Sequence, residues 1–150
     1  MLPDAISSVL RRKGGDRRVL SIAPEASVYD AIALMAENSI GALLVVSDGT
    51  LVGIMSERDY ARKVVLQSRA SKETRVSDIM TSPVITVSPT HTVEECMRLM
   101  TDRRIRHLPV IDGSAIAGIV SIGDLVRSVI TAQGETIQYL QQYINGQYQA

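Results

Sequence analysis

The sequence has no phenylalanine, no tryptophan, one cysteine and two histidines among its 150 residues. Without the large aromatics, a core has to be assembled from Val, Ile, Leu, Met and Ala. At 45% hydrophobic residues the chain has enough of them. A single thiol, Cys96, excludes an intrachain disulfide and suggests no metal framework. It falls on a helical repeat, which favours a small buried side chain over a nucleophile. His107 has only His91 as a histidine companion, a poor start for a metal site. Net charge is missing as well, since 16 basic and 16 acidic residues cancel, so no global field exists for nucleic acid or an anionic membrane. The scarcity of aromatics weakens a nucleic-acid reading further. Basic runs at Arg11-Arg12-Lys13 and Arg17-Arg18 are expected to be solvated faces. No segment approaches the roughly 20 apolar residues of a membrane span. The opening Met-Leu-Pro-Asp lacks the apolar run of a signal peptide. The expectation is a cytoplasmic protein with no nucleic-acid and no membrane partner.

What the chain does contain is a duplicated stretch. Gly53-Ile54-Met55-Ser56-Glu57-Arg58-Asp59 and Gly118-Ile119-Val120-Ser121-Ile122-Gly123-Asp124 share the pattern Gly-apolar-x-Ser-x-x-Asp. Glycine permits close approach of another backbone or of a ligand. Ser followed three positions later by Asp marks a helix start, where free N–H groups favour anions. The stretch belongs to a longer repeat, because residues 21–65 align with 86–130 without a gap. Two long units with a linker indicate a duplicated pair and not a solenoid.

Along the chain, residues 3–13 read as a helix that Gly14-Gly15 ends, and Val19 to Ile22 as a short strand. Ser27 with Asp30, and Thr92 with Glu95, predict capping boxes before helical apolar spacing. Leu43 to Val46 and Leu51 to Ile54 predict a hairpin about Asp48-Gly49. His107 to Ile111 and Ile116 to Val120 predict its counterpart about Asp112-Gly113. A second helix follows each motif, from about Glu57 to Leu66 and from about Ile122 to Thr131. Val76, Ile79 and Met80 predict one helical turn in the linker. Ile137, Leu140, Tyr143 and Ile144 predict a C-terminal helix over 135–145. The expected organisation is an N-terminal helix and lead-in over 1–18, a first unit over 19–66, a linker over 67–83, a second unit over 84–131 and a C-terminal helix over 132–150. Each unit is β-α-β-β-α, an α/β (α+β) arrangement too small to bury both faces of its sheet alone. Two copies about a pseudo-twofold axis would cover them.

These features resemble a pair of cystathionine-β-synthase (CBS) domains, a Bateman module, over about residues 19–131. The resemblance rests on the duplicated Gly-x-x-Ser-x-x-Asp, on Pro24 and Pro89, on Asp78-Ile79-Met80-Thr81 before the second unit, and on Arg106-His107-Leu108-Pro109-Val110. It implies a stand-alone regulatory module that takes adenosyl ligands in two clefts between the repeats. AMP or ATP leads, with ADP, NAD(H) and S-adenosylmethionine also in range. It further implies a disc-shaped homodimer that acts on a separate regulated protein. The competing reading is a structural dimerisation module with empty clefts. An enzyme is not expected, since no Ser-His-Asp order, metal set or phosphate-cradling glycine loop occurs.

On this resemblance the Asp59 and Asp124 carboxylates would accept the two ribose hydroxyls, a fit for an acceptor with two oxygens. From local sequence alone both are plain capping residues. Ser56 and Ser121 cap the helices or touch ribose and phosphate. Ser21 and Thr86 would lie near the sugar, or be ordinary strand hydroxyls. Arg58, Arg106 and His107 would supply cations to phosphates, Arg because its fork donates twice. Gly41 and Ala42 stand where Arg106 and His107 do, so only the second repeat carries strand-start cations. Ile22, Val84, Leu43 and Leu108 either sandwich an adenine or belong to the core.

Overall fold

The structure, a computed structural model, describes residues 5–13, 19–132 and 141. In chain order the elements are α1 (Ile6–Arg12), β1 (Ser21–Ile22), α2 (Val28–Asn38), β2 (Ala42–Ser47), β3 (Thr50–Ser56), α3 (Glu57–Tyr60), α4 (Val76–Ile79), α5 (Val93–Arg103), β4 (His107–Asp112), β5 (Ala115–Ser121) and α6 (122–132). Helix α3 runs on into a wider π turn over Ala61–Val65. The expected helix over 135–145 lies outside the described residues apart from 141, as do Gly14-Gly15 and Arg17-Arg18.

The chain divides into two compact units. One is Arg18–Thr86; the other joins the described residues of Met1–Arg17 to those of Val87–Ala150. In the first, β1 runs parallel to β2 (Ser21 opposite Leu44), and β2 pairs antiparallel with β3. Val28, Ala31 and Met35 from α2 bury against Leu43, Val45 and Met55 of the sheet, with Val76 and Ile79 of α4 closing the core. The second unit repeats this with matching residues. Val93, Cys96 and Met100 are buried, as are Leu108, Val110 and Val120, and Ile6 and Val9 of α1 take the place of Val76 and Ile79. Burial pushes the Cys96 thiol up to about 11, with Glu95 adding to the shift, so this cysteine is inert core.

The lead-in helices are therefore crossed. Helix α1 precedes the first repeat in sequence but completes the second, and α4, which precedes the second repeat, completes the first. The backbone shows the same docking twice. Ile6 N–H donates to His91 O (2.8 Å) and Ser7 N–H to Pro89 O (3.0 Å), while Val76 N–H donates to Ala26 O (2.9 Å) and Ser77 N–H to Pro24 O (3.0 Å). Each helix then lays an apolar side chain over the motif glycine. A Cβ on Gly53 would meet Met80 Sδ, with Met80 Cγ at 2.9 Å; one on Gly118 would meet Leu10 Cδ2 at 2.8 Å. The close neighbour that the glycine admits is thus a helix side chain.

Two expectations need correction. The second hairpin turns at Gly113-Ser114 and not at Asp112-Gly113, because Asp112 still pairs with Ala115. Gly113 takes φ +64° at the first central position, where a primed turn needs it. In the first hairpin Asp48 (φ 51°) and Gly49 (φ 76°) are both left-handed, so the two Asp-Gly pairs are offset by one. The first strand of the second unit also shrinks to one parallel bridge, Val87 to Val110. At the caps, Thr92 and Glu95 form the full reciprocal box, while Ser27 Oγ accepts the Asp30 N–H at 3.0 Å.

Overpacking should separate the glycines. Met80 Cβ itself lies 3.2 Å from a new Cβ at Gly53, so rotation of the side chain does not clear it, whereas at Gly118 one terminal methyl of Leu10 is too close and its other atoms stand at ordinary contact distance. Gly53→Ala is expected to destabilise by about 1–3 kcal/mol, and Gly118→Ala by less. Denaturant midpoints check this, and the reverse order would refute it.

Candidate functional site

Each repeat ends a strand and starts a helix at its Ser-x-x-Asp. In the first, Ser56 N–H donates to Asp59 Oδ2 (2.9 Å) and Ser56 Oγ accepts the Asp59 N–H (3.1 Å). In the second, Ser121 N–H donates to Asp124 Oδ2 (2.8 Å) and Ser121 Oγ accepts the Asp124 N–H (3.2 Å). Both aspartates are therefore capping residues in the structure. The helix starts are also less open to anions than the pattern predicts. Glu57 N–H is spent on Gly41 O (3.0 Å) and Ile122 N–H on Arg106 O (2.8 Å).

The surroundings of the carboxylates differ. Asp59 Oδ1 faces Lys63 Nζ (3.1 Å) and Thr81 Oγ1 (3.3 Å), and Lys63 also donates to Ile79 O of α4 (2.9 Å). The Lys63 side chain is 45% exposed. Asp124 is nearly closed off at 7% exposure. Its Oδ2 meets Lys13 Nζ at 2.8 Å and its Oδ1 meets Arg127 Nη2 at 2.8 Å. Lys13, at the end of α1, also donates to Ile119 O (2.8 Å). Burial works to raise the Asp124 carboxyl. The hydrogen bonds from Lys13 and Ser121 and the Lys13 charge outweigh it, and the group sits below its ordinary value.

The other expected site residues scatter around these turns. Within the second unit, His107 opposes Ser121 across the β4–β5 pair, one residue after exposed Arg106. Burial lowers His107, with Asp124 opposing and Lys13 and Arg106 reinforcing the shift, so the ring is held toward its neutral form. Arg58 is half-buried beside Asp59, while Ser21 and Thr86 are exposed. Leu43 and Leu108 are fully buried and serve the core, not an open adenine face.

Sequence reasoning missed Lys13. It belongs to a run read as solvated, yet it neutralises the second carboxylate, and Arg12 beside it reaches Ser128 Oγ at 3.4 Å. The available signal was the shared spacing of Ile6, Val9 and Leu10 with Val76, Ile79 and Met80, which places α1 and α4 in equivalent roles. Among the described residues no cluster of three metal-ligating side chains occurs, and no helix is long and apolar enough to cross a membrane.

Comparison with known proteins finds the duplication as well, divided along the sequence and not along the crossed units. The family model "CBS domain" matches residues 15–66 and 76–131. A curated relative, CBS domain-containing protein CBSX3, mitochondrial, from Arabidopsis thaliana, is 47% identical over 150 residues, covering 95% of this chain and 73% of that one. The structure of a protein with CBS domains from Burkholderia ambifaria superposes with a TM-score of 0.84 at 53% identity, covering 87% of this chain and 96% of that one. The CBS domain pair of protein MJ0100, solved with 5′-methylthioadenosine and S-adenosyl-L-methionine, superposes with a TM-score of 0.76 at 24% identity, covering 87% and 99%.

The Asp124 shift has a sign that can be tested. A carboxyl lowered on folding contributes stability above its unfolded value, near 3.8, and that contribution is lost as pH falls through the lower folded value. Wild type should therefore lose stability more steeply below about pH 4 than Asp124→Asn, which has no charge to lose there. Parallel pH–stability curves for the two proteins would contradict the assignment.

Proposed function

Since the chain belongs to the CBS-domain family, with two copies of the domain, we propose that it senses an adenosyl ligand and passes that occupancy to a separate protein. The CBS pair is a regulatory module, and no catalytic role is assigned to any residue. The observation that carries the ligand reading is the duplicated turn, which holds one aspartate carboxylate at the same place in each repeat. Around Asp59, the Lys63 and Thr81 contacts on Oδ1 and the Ser56 Oγ contact on Oδ2 are polar and exchangeable, so a ribose diol can take their places across the two oxygens. The adenosyl class is also the one that the MJ0100 pair holds.

In this reading Asp59 and Asp124 accept ribose hydroxyls, Ser56 and Ser121 fix the carboxylates, and Ser21 and Thr86 offer exposed hydroxyls to the sugar. Arg58 serves phosphate on the first repeat, Arg106 and His107 on the second. AMP or ATP is the leading ligand, with NAD(H) and S-adenosylmethionine behind. Exposed Val65 and Leu66 in the first unit, and Val126 and Ile130 on α6, support assembly with a second copy. Cytoplasmic residence is part of the proposal, and cell fractionation tests it against the mitochondrial naming of the Arabidopsis relative.

Calorimetric titration of ligand-stripped protein with adenosine, AMP, ATP, NADH and S-adenosylmethionine tests the sensor. Charge-assisted hydrogen bonds are worth roughly 1.5–3 kcal/mol, so Asp59→Asn should weaken its site about tenfold or more. Arg106→Ala should reduce AMP affinity far more than adenosine affinity; equal losses would assign Arg106 to the base or the fold. No binding at millimolar ligand by folded protein would favour the dimerisation module. Sedimentation should show a homodimer at micromolar protein, and a monomer there would contradict the assembly.

A further inference from the structure

The two motif carboxylates are held by lysines of opposite origin. Lys63, on Asp59, comes from the helical stretch that the motif itself starts. Lys13, on Asp124, comes from the lead-in helix α1. A group that takes Asp59 from Lys63 leaves α4 held by its own backbone bonds, by Met80 and by the Lys63 bond to Ile79 O. A group that takes Asp124 from Lys13 removes a tie that holds α1.

We propose that Lys13 is a latch: it occupies the carboxylate oxygen that a diol ligand needs on Asp124, so ligand binding there and docking of the C-terminal half of α1 exclude each other. The inference rests on the adenosyl reading of Asp124 given above. A vicinal diol is best held by both oxygens of a carboxylate. Oδ1 opens readily, because the Arg127 side chain that covers it is 74% exposed and swings on its own helix. Oδ2 is shut by Lys13, which is 26% exposed and anchored a second time on Ile119 O. Next to it, Arg12 ties α1 to Ser128 of α6, itself 6% exposed. Toward its N-terminus α1 keeps the bonds of Ile6 and Ser7 to the loop before α5, so the helix loosens at one end and does not detach. If ligand and latch exclude each other, each opposes the other by the same factor. The second repeat then reports occupancy through α1, whereas in the first repeat the displaced lysine belongs to the helical stretch that the motif itself starts.

Amide hydrogen exchange over residues 5–13, measured with adenosine and AMP titrations, tests the latch. Without ligand, Lys13→Met should raise exchange in the C-terminal half of α1 by about tenfold, while Lys13→Arg, which keeps the charge, should hold it near wild type. Lys13→Met should also bind adenosine roughly three- to tenfold more tightly, because the cost of opening is gone. Saturating adenosine should raise exchange in wild-type α1 and leave the Lys13→Met helix as it was. Adenosine bound to Asp124 with unchanged α1 exchange overturns the latch and leaves the sensor standing. Weaker binding of AMP but not adenosine by Lys13→Met makes Lys13 a phosphate contact and overturns it too. If neither protein binds adenosine or AMP, the adenosyl reading fails and the latch with it.

Discussion

Leu10 over Gly118 and Met80 over Gly53 bring a helix against a strand that ends three residues later in the Ser-Asp turn. Without a Cβ at the glycine the helix packs close enough for its next residues to reach the turn. Thr81 follows Met80 and pairs with Ile54, which places its hydroxyl near Asp59. Lys13 lies three residues beyond Leu10 and reaches Asp124. The core, the strand end and the charged turn thus share one condition, a side chain seated where the motif leaves room. The cores on either side are built from buried Val, Ile, Leu, Met and Ala without a single phenylalanine or tryptophan.

Duplication kept the scaffold and let the electrostatics diverge. The buried positions of the two repeats match nearly residue for residue, and so do the caps and the one-residue bulges beside Val45 and Val110. The charges do not match. A carboxylate with an exposed lysine neighbour can change partners at small cost, as surface ion pairs do. One that is 6% exposed and bridged by two cations cannot lose either without leaving a buried charge less well compensated. Equal sequence motifs therefore stand in unequal settings.

Much of this was legible in the chain. The ungapped repeat, the hydroxyl-carboxylate caps, the helical spacing and the Gly-x-x-Ser-x-x-Asp turns are local signals, and local hydrogen bonds enforce them. The CBS resemblance followed from their order. Three features were not legible, each because a distant partner decides it. Asp112-Gly113 is as good a turn dipeptide as Asp48-Gly49, but the pairing of β4 with β5 moves the turn onward by one. Lys13 reads as one of three adjacent cations until α1 is placed on the second repeat. Thr86 matches Ser21 in sequence, yet among the described residues the second unit makes only the Val87 bridge to Val110 where the first pairs both Ser21 and Ile22. The aspartates were read from local pattern as caps and from resemblance as ribose acceptors; the structure shows the first role, with the second left to binding experiments.

The crossed lead-ins also impose an order on synthesis. Helix α1 leaves the ribosome before either repeat, with Ile6, Val9 and Leu10 still waiting for the second unit that covers them, and 106 positions separate Lys13 from its carbonyl partner Ile119. The first repeat has no such wait, because α4 follows it at once and the unit Arg18–Thr86 is continuous. Domains that emerge whole fold as they appear, so the N-terminal repeat can close early while the apolar face of α1 stays open until the last strand is made. A nascent chain of this kind carries an uncovered apolar face through most of its translation, and a circular permutation opened before Val87, which places α1 directly after the second repeat, would shorten that exposure.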